Sequence, residues 1–209
     1  FTRSSKFMIK HFNTYANQIF DNFLKEIDNP FIIEIGSNDG AFLEFFAKKN
    51  ISHLGVEPSG NVAKVAETYG VKSLVSFMNL STSNEIIKNY GYADAITAAN
   101  VICHIPNIND FAESVSNTLN DKGILVFEEP YLGSMFEKVS YDQIYDEHIY
   151  IFSASSIKKI FNLFDFELID AIPQITHGGS MRYIISRSKN RKTSKRLSKI
   201  LDYEKKNNI

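Results

Sequence analysis

Between residues 31 and 127 short apolar runs alternate with stretches of helical periodicity, and that alternation leaves few architectures open. Strands are expected at 31–35, 52–57, 71–75, 94–98 and 124–127, with helices at 41–48, 61–69, 82–89 and 109–119 between them, the last capped by Asn109 and followed by a turn at Asp121-Lys122-Gly123. Strands and helices at this spacing predict a parallel sheet covered on both faces. Ahead of them, Phe7, Met8, His11, Phe12, Tyr15, Ile19, Phe20, Phe23, Leu24 and Ile27 mark one stripe of a leading helix, which Asp28-Asn29-Pro30 stops. After Pro130 the rhythm breaks into an aromatic stretch at 131–152. Ser153 then caps a helix to residue 164, and two more strands follow at 167–172 and 181–186. The expectation is a Rossmann-like α/β domain with a seven-stranded, mostly parallel sheet. No repeat or Gly/Ser linker divides it before residue 187.

Composition narrows the classes. Lys plus Arg number 23 against 24 Asp plus Glu, so no global field recruits nucleic acid or an acidic membrane. Residues 187–199 do carry seven basic residues and no acid, but with no interleaved aromatics they predict a solvated helix or linker. The lone cysteine, Cys103, excludes an intramolecular disulfide and a Cys-clustered zinc site, and no metal is expected. Nothing marks it as a nucleophile; it is expected to be a small loop residue. Apolar runs are only a few residues long and no signal-peptide core is visible, so the reading is a soluble protein of a reducing, cytoplasmic compartment. The chain opens on Phe1 and closes on a charged tail, as a piece of something longer would.

The first strand runs into Gly36-Ser37-Asn38-Asp39-Gly40 and then a helix, an arrangement in which backbone approaches a ligand beside a helix N-terminus. The second strand ends in Glu57, 21 residues after Gly36, near the offset at which a carboxylate meets ribose hydroxyls. The pair predicts an adenosine-containing ligand. A dinucleotide would need a second glycine where Asn38 stands, and a carboxylate at Asp39 would repel a pyrophosphate. Beside a ligand bearing an ammonium and a sulfonium the same charge is attractive, so Glu34 and Asp39 favour S-adenosylmethionine over NAD. The alternative leaves Gly36 and Gly40 as simple turn glycines and Glu57 as a solvated strand end.

Several motifs are similar to a known family: Glu34-Ile35-Gly36-Ser37-Asn38-Asp39-Gly40, Val56-Glu57-Pro58-Ser59, Ala99-Asn100-Val101-Ile102-Cys103-His104-Ile105, Tyr141-Asp142-Gln143-Ile144-Tyr145-Asp146-Glu147-His148 and Ile175-Thr176-His177-Gly178-Gly179-Ser180-Met181-Arg182. Together they resemble the nucleotide-sugar C-methyltransferases, class I S-adenosylmethionine-dependent enzymes that methylate carbon 3 of a dTDP-4-keto-deoxyhexose. The resemblance implies that residues 1–186 are the catalytic core, with 1–30 its leading helix and 187–209 a tail or linker. It assigns His148 as the base that removes the C3 proton, with Tyr145, Glu147 and His104 holding the sugar or the developing oxyanion. It places the donor on Glu34, Gly36, Asn38, Asp39, Gly40, Glu57 and Ser59, with Asn100 toward the methionine ammonium. Phe77, Met78 and Asn79 follow the third strand, where such folds frame adenine. His177 is a candidate on the substrate side, whereas His11 and His53 default to structure. Full-length members also carry an N-terminal zinc module and a further C-terminal domain, neither of which is in this chain. O-methylation of a sugar or small metabolite, a non-catalytic donor-binding or assembly module, and an NAD-dependent oxidoreductase remain alternatives.

Overall fold

The computed structural model describes residues 2–140 and 142–209; Phe1 and Tyr141, the latter opening the 141–148 motif, lie outside the described residues. The sheet has seven strands, β1 (Phe31–Ile35), β2 (Ser52–Val56), β3 (Ser73–Leu74), β4 (Ala93–Ala99), β5 (Leu119–Pro130), β6 (Phe166–Gln174) and β7 (Ser180–Arg187), in the order β3-β2-β1-β4-β5-β7-β6. β1 pairs in parallel with β2 and β2 with β3, whereas β7 runs antiparallel to both β5 and β6. This bears out the seven-stranded Rossmann-like class. No helix among the described residues is long and apolar enough to cross a membrane. The chain falls into two compact units, Phe1–Thr97 with Asn117–Asn120, and Ala98–Ser116 with Asp121–Ile209.

In the first unit, Ser5 caps helix α1 (Lys6–Ile19) by accepting from the Met8 N–H. The buried residues of α1 are Phe12, Tyr15, Ala16 and Ile19, at the spacing of a single helix face. The stripe read from the sequence is wider than this face, since Phe7 and Ile27 are exposed. A π-turn at Phe20–Leu24 widens the winding, which buries Leu24. All five residues of β1 are buried, including Glu34. Asp94 braces the start of the strand, accepting from the Phe31 N–H at 2.8 Å and from Asn120 Nδ2 at 2.6 Å. Helix α2 (Glu44–Lys48) begins later than expected because 41–43 still form turns. Helices α3 (Gly60–Glu67) and α4 (Leu80–Tyr90) flank a β3 of only two residues.

In the second unit, helix α5 (Ile108–Thr118) is capped from Asn107, whose Oδ1 accepts from the Asp110 N–H, and not from Asn109. Asp121-Lys122-Gly123, expected to turn, continue β5, with the two charged side chains exposed. The aromatic stretch after Pro130 contains a short helix, α6 (Leu132–Lys138), that no clean periodicity announced. Ser153 caps helix α7 (Ala154–Asn162) with a reciprocal capping box through Ser156. The tail is not a freely solvated helix. In helix α8 (Lys195–Lys206) both Leu197 and Glu204 are buried. Glu204 accepts from the N–H groups of Ala154 and Ser155 at 2.7 and 2.8 Å and from the Tyr131 hydroxyl at 3.0 Å. A carboxylate thus satisfies the open amides at the start of α7, where the helix dipole favours negative charge. Asp170 on β6 holds the other end through Ser194 and Arg196. Burial pushes the Asp170 carboxyl up, but those two hydrogen bonds, the Arg196 charge and the Ala171 N–H together keep it below its usual range.

Candidate active site

In the first unit the turn between β1 and α2 needs left-handed backbone at three places: Gly36 at φ 67°, Asn38 at φ 48° and Gly40 at φ 71°. Gly36 donates to the Val56 carbonyl at 2.8 Å, which ties the turn to the end of β2. At Gly40 a Cβ would meet Ala66 Cβ at 2.9 Å, so both the dihedral and the space demand glycine. The end of β2 then presents Glu57. Its Oε2 accepts from the Asn38 N–H at 2.9 Å and its Oε1 from the Ser59 N–H at 2.9 Å. The carboxylate is buried, so Glu57 is not a solvated strand end. Two charge-assisted bonds hold it, and each oxygen keeps a second lone pair to give.

Three carboxylates gather here. Burial first, then the charges of Asp39 and Glu57, push the Glu34 carboxyl well above its ordinary range. Asp39 is fully buried; its Oδ2 accepts from the Arg3 N–H at 2.9 Å, and its carbonyl accepts from Arg3 Nε at 3.0 Å. Arg3 also pairs with Glu44 at 2.5 Å and stacks over Tyr69. Part of the Asp39 charge is therefore already answered from within the chain, a role for Arg3 that no local motif signals. Glu34 Oε2, Asp39 Oδ1 and Ser37 Oγ remain buried with no hydrogen-bond partner. Ser37 escaped the sequence reading. It packs where a Cβ on Gly55 would sit 2.4 Å from its Oγ, and that proximity is visible only in three dimensions.

Of the three residues expected to frame adenine, Met78 is buried and Phe77 is 72% exposed. Asn79 is the N-cap of α4, its Oδ1 accepting from the Thr82 N–H at 3.0 Å, so the fold itself accounts for that oxygen.

In the second unit the turn after β4 carries Asn100 and His104. Asn100 has left-handed backbone at φ 55°, donates to the Glu128 carbonyl at 2.8 Å, and keeps a buried Oδ1 without a partner. Glu129 organises this turn. Its Oε1 accepts from the Val101 and Ile102 N–H groups at 3.0 and 2.7 Å, while burial raises its carboxyl above the usual range despite those bonds. Neither this role of Glu129 nor the buried pair of Glu128 with Arg182, 2.5 Å apart, was anticipated. Both acids sit in an apolar strand run, which hides them from motif reading.

His148, Tyr145 and His104 come together. His148 Nδ1 bonds the Gln143 carbonyl at 2.8 Å, and its Nε2 bonds the Tyr145 hydroxyl at 2.8 Å. A carbonyl can only accept, so in the neutral ring Nδ1 carries the proton and Nε2 the lone pair. His104 Nδ1 bonds the Glu147 carbonyl at 2.7 Å and is assigned the same tautomer. The two imidazole centroids lie 4.9 Å apart. Glu147 thus joins the cluster through its backbone, and its side chain is exposed. Burial first, with Cys103 and Glu147 after it, raises the Tyr145 hydroxyl above the ordinary phenol range. The Cys103 carbonyl accepts from the Ile149 and Tyr150 N–H groups and so staples the end of the loop. Its thiol is buried, and burial with Glu129 beside it pushes the thiol up. His177 lies in a left-handed turn at φ 49°. His53 is a satisfied structural histidine, bonded to the Ile51 carbonyl and the Lys72 N–H.

A methyltransferase domain model matches residues 8–171. The C-methyltransferase NovU of Streptomyces niveus is 31% identical over 154 residues, covering 74% of this chain and 37% of NovU. The chain thus spans little more than a third of that relative. An S-adenosylmethionine-dependent methyltransferase from Anabaena variabilis superposes with a TM-score of 0.61 at 16% identity, over 86% of this chain and 94% of that one. Magnesium protoporphyrin IX methyltransferase from Synechocystis, solved with bound S-adenosylmethionine, gives 0.61 at 12% identity, over 87% and 82%. The chain belongs to the methyltransferase-domain family and has the fold of the S-adenosylmethionine-dependent methyltransferases.

Proposed function

We propose that this chain is an S-adenosylmethionine-dependent C-methyltransferase that methylates carbon 3 of a nucleotide-linked 4-keto-deoxysugar. The observation that carries the reading is His148. Its Nδ1 is fixed by a backbone carbonyl and its Nε2 lone pair is paired with a phenol, beside a second imidazole held the same way.

The donor fits the first unit. Glu34 Oε2 and Asp39 Oδ1 are buried oxygens without a hydrogen-bond partner, the latter 4.0 Å from Arg3 Nε, and a cationic ligand would supply the donors they lack. Glu57 would take the ribose hydroxyls on its spare lone pairs, with Ser59 beside it. Gly36, Asn38 and Gly40 would line the methionine end, Asn100 would accept from its ammonium, and Phe77, Met78 and Asn79 would frame adenine. When bound, the donor supplies an electrophilic methyl group.

The acceptor chemistry falls to the second unit. His148 Nε2 takes the proton from carbon 3, and the electron pair of the broken C–H bond passes into the enolate. Tyr145 turns its O–H from Nε2 to the ketone oxygen as charge develops there. His104, with its Nδ1 committed, presents Nε2 to a sugar hydroxyl, and Glu147 lines the same loop. Carbon 3 then takes the methyl, and His148 returns its proton to solvent. NovU being a C-methyltransferase supports the reaction class.

The test is deuterium exchange at carbon 3 of a dTDP-4-keto-deoxysugar without methyl transfer. His148→Ala should slow exchange and turnover by roughly 10²–10⁴-fold. Unchanged exchange in a folded variant would remove His148 from the base role, and a product methylated on oxygen would replace the reaction itself.

A further inference from the structure

The same corner of the second unit offers more than acid–base chemistry. Cys103, His104 and His148 each place a ligand atom within 4.8 Å of the other two. Cys103 and His104 come from a single 3₁₀ turn, Ile102–His104, and the loop that carries His148 is bonded back to the Cys103 carbonyl through Ile149 and Tyr150. Both imidazoles donate Nδ1–H to a backbone carbonyl, His104 to Glu147 and His148 to Gln143. Metal-bound histidines are held this way: one nitrogen is anchored to a carbonyl, which fixes the tautomer and leaves the other lone pair for the ion.

We propose that Cys103, His104 and His148 form a binding site for a zinc-class divalent ion, with one coordination position left open. One sulfur and two imidazole nitrogens suit a borderline-soft metal and do not suit magnesium or calcium. Tetrahedral zinc with these ligands needs donor atoms about 3.5 Å apart, so the three must draw together by about 1 Å. Tyr145, half exposed, has room to release His148 Nε2. On binding, the thiol proton leaves to solvent and the thiolate bonds the ion. Glu129, which the Cys103 thiol contacts, remains as a buried acid beside the resulting positive centre. The site goes beyond the methyltransferase reading and also bears on it. An ion on His148 Nε2 takes the lone pair assigned to the base, so metal binding and catalysis exclude each other.

The direct test is titration of the metal-free chain with Co²⁺, followed by absorption. One equivalent should produce tetrahedral d–d bands and a thiolate-to-cobalt charge-transfer band, both discharged by Zn²⁺ and untouched by excess Mg²⁺. Cys103→Ser, which can keep the contact to Glu129, should lose the charge-transfer band and weaken Zn²⁺ binding by at least about tenfold. His104→Gln should weaken it similarly, with thermal melting of the metal-free variants confirming that they fold. No cobalt binding, or a spectrum unchanged in Cys103→Ser, would overturn the site. The consequence for catalysis is read separately. Zn²⁺ should inhibit methyl transfer reversibly by chelator, with the inhibition lost in Cys103→Ser and basal turnover kept. A chain that binds Co²⁺ through sulfur but shows no C3 exchange would retain the metal site and lose the proposed methylation at carbon 3.

Discussion

The donor corner of the first unit and the histidine cluster of the second are built from the same few kinds of bond, used in opposite ways. In the first unit Glu34, Asp39 and Glu57 are all buried, and Asp39 and Glu57 accept from backbone N–H groups beside a turn fixed by left-handed residues. Around His148 it is the backbone carbonyls that bind, and the side chains stay partly exposed. Amides donate, so they stabilise carboxylates waiting for a cation. Carbonyls accept, so they hold imidazoles with a lone pair to give. In the proposed reading, the polarity of the backbone contact separates a charge-binding corner from a proton-moving one.

After His148→Ala, that contrast is tested most strongly by Tyr145→Phe. Loss of a single oxyanion donor should lower turnover by about 10²–10³-fold while leaving donor affinity within twofold, measured by steady-state kinetics beside calorimetry. An equal loss of donor affinity would mean the two corners do not divide the work as described. Glu57→Ala tests the other side. Removing an acceptor of two amide bonds and of the ribose should weaken S-adenosylmethionine binding by roughly 10–100-fold, with the C3 exchange rate little changed.

Glu34→Gln is the smallest and the most informative about charge. With its native carboxyl raised by burial above the ordinary 4.5, the folded chain holds this proton longer than the unfolded chain does. The stabilisation is complete below the ordinary value and is lost as pH rises toward the native one. Glutamine mimics the protonated acid, so the variant should melt at the same temperature as the parent at low pH and higher than it as pH rises. Its donor affinity should be lower and should lose the increase with pH expected of an ionising Glu34. Identical melting curves across the pH range would place Glu34 outside the charge balance of the corner.

Much of the fold was legible because its cues are local. Gly36, Asn38 and Gly40 announce a turn by the backbone they tolerate, and Glu57 stands at a set distance along the chain. β1 is bounded as expected because Pro30 and Gly36 flank a continuous apolar run. The misreadings also share a cause. The turn expected at 121–123 became strand, and α6 formed without a clean stripe, because their neighbours come from elsewhere in the chain. Glu204 lies beyond the basic run that drew attention to the tail, yet it docks α8 by capping a helix some fifty residues away in sequence. Arg3 on Asp39, Ser37 against Gly55 and Glu129 under the Val101–Ile102 turn are long-range bonds of the same kind.

By itself, then, the sequence determined the order of strands and helices, the Gly-rich turn, and which acids and histidines were available. These follow from period, backbone freedom and residue type, properties each residue carries without partners. Only the tertiary structure decided which lone pairs are spent and which remain. Asp39 gives one oxygen to Arg3, Glu34 keeps a buried oxygen unpaired, and both imidazoles turn Nδ1 to carbonyls near Cys103. A lone pair is committed by whatever polar group lies within about 3 Å of it, and that neighbour is set by folding.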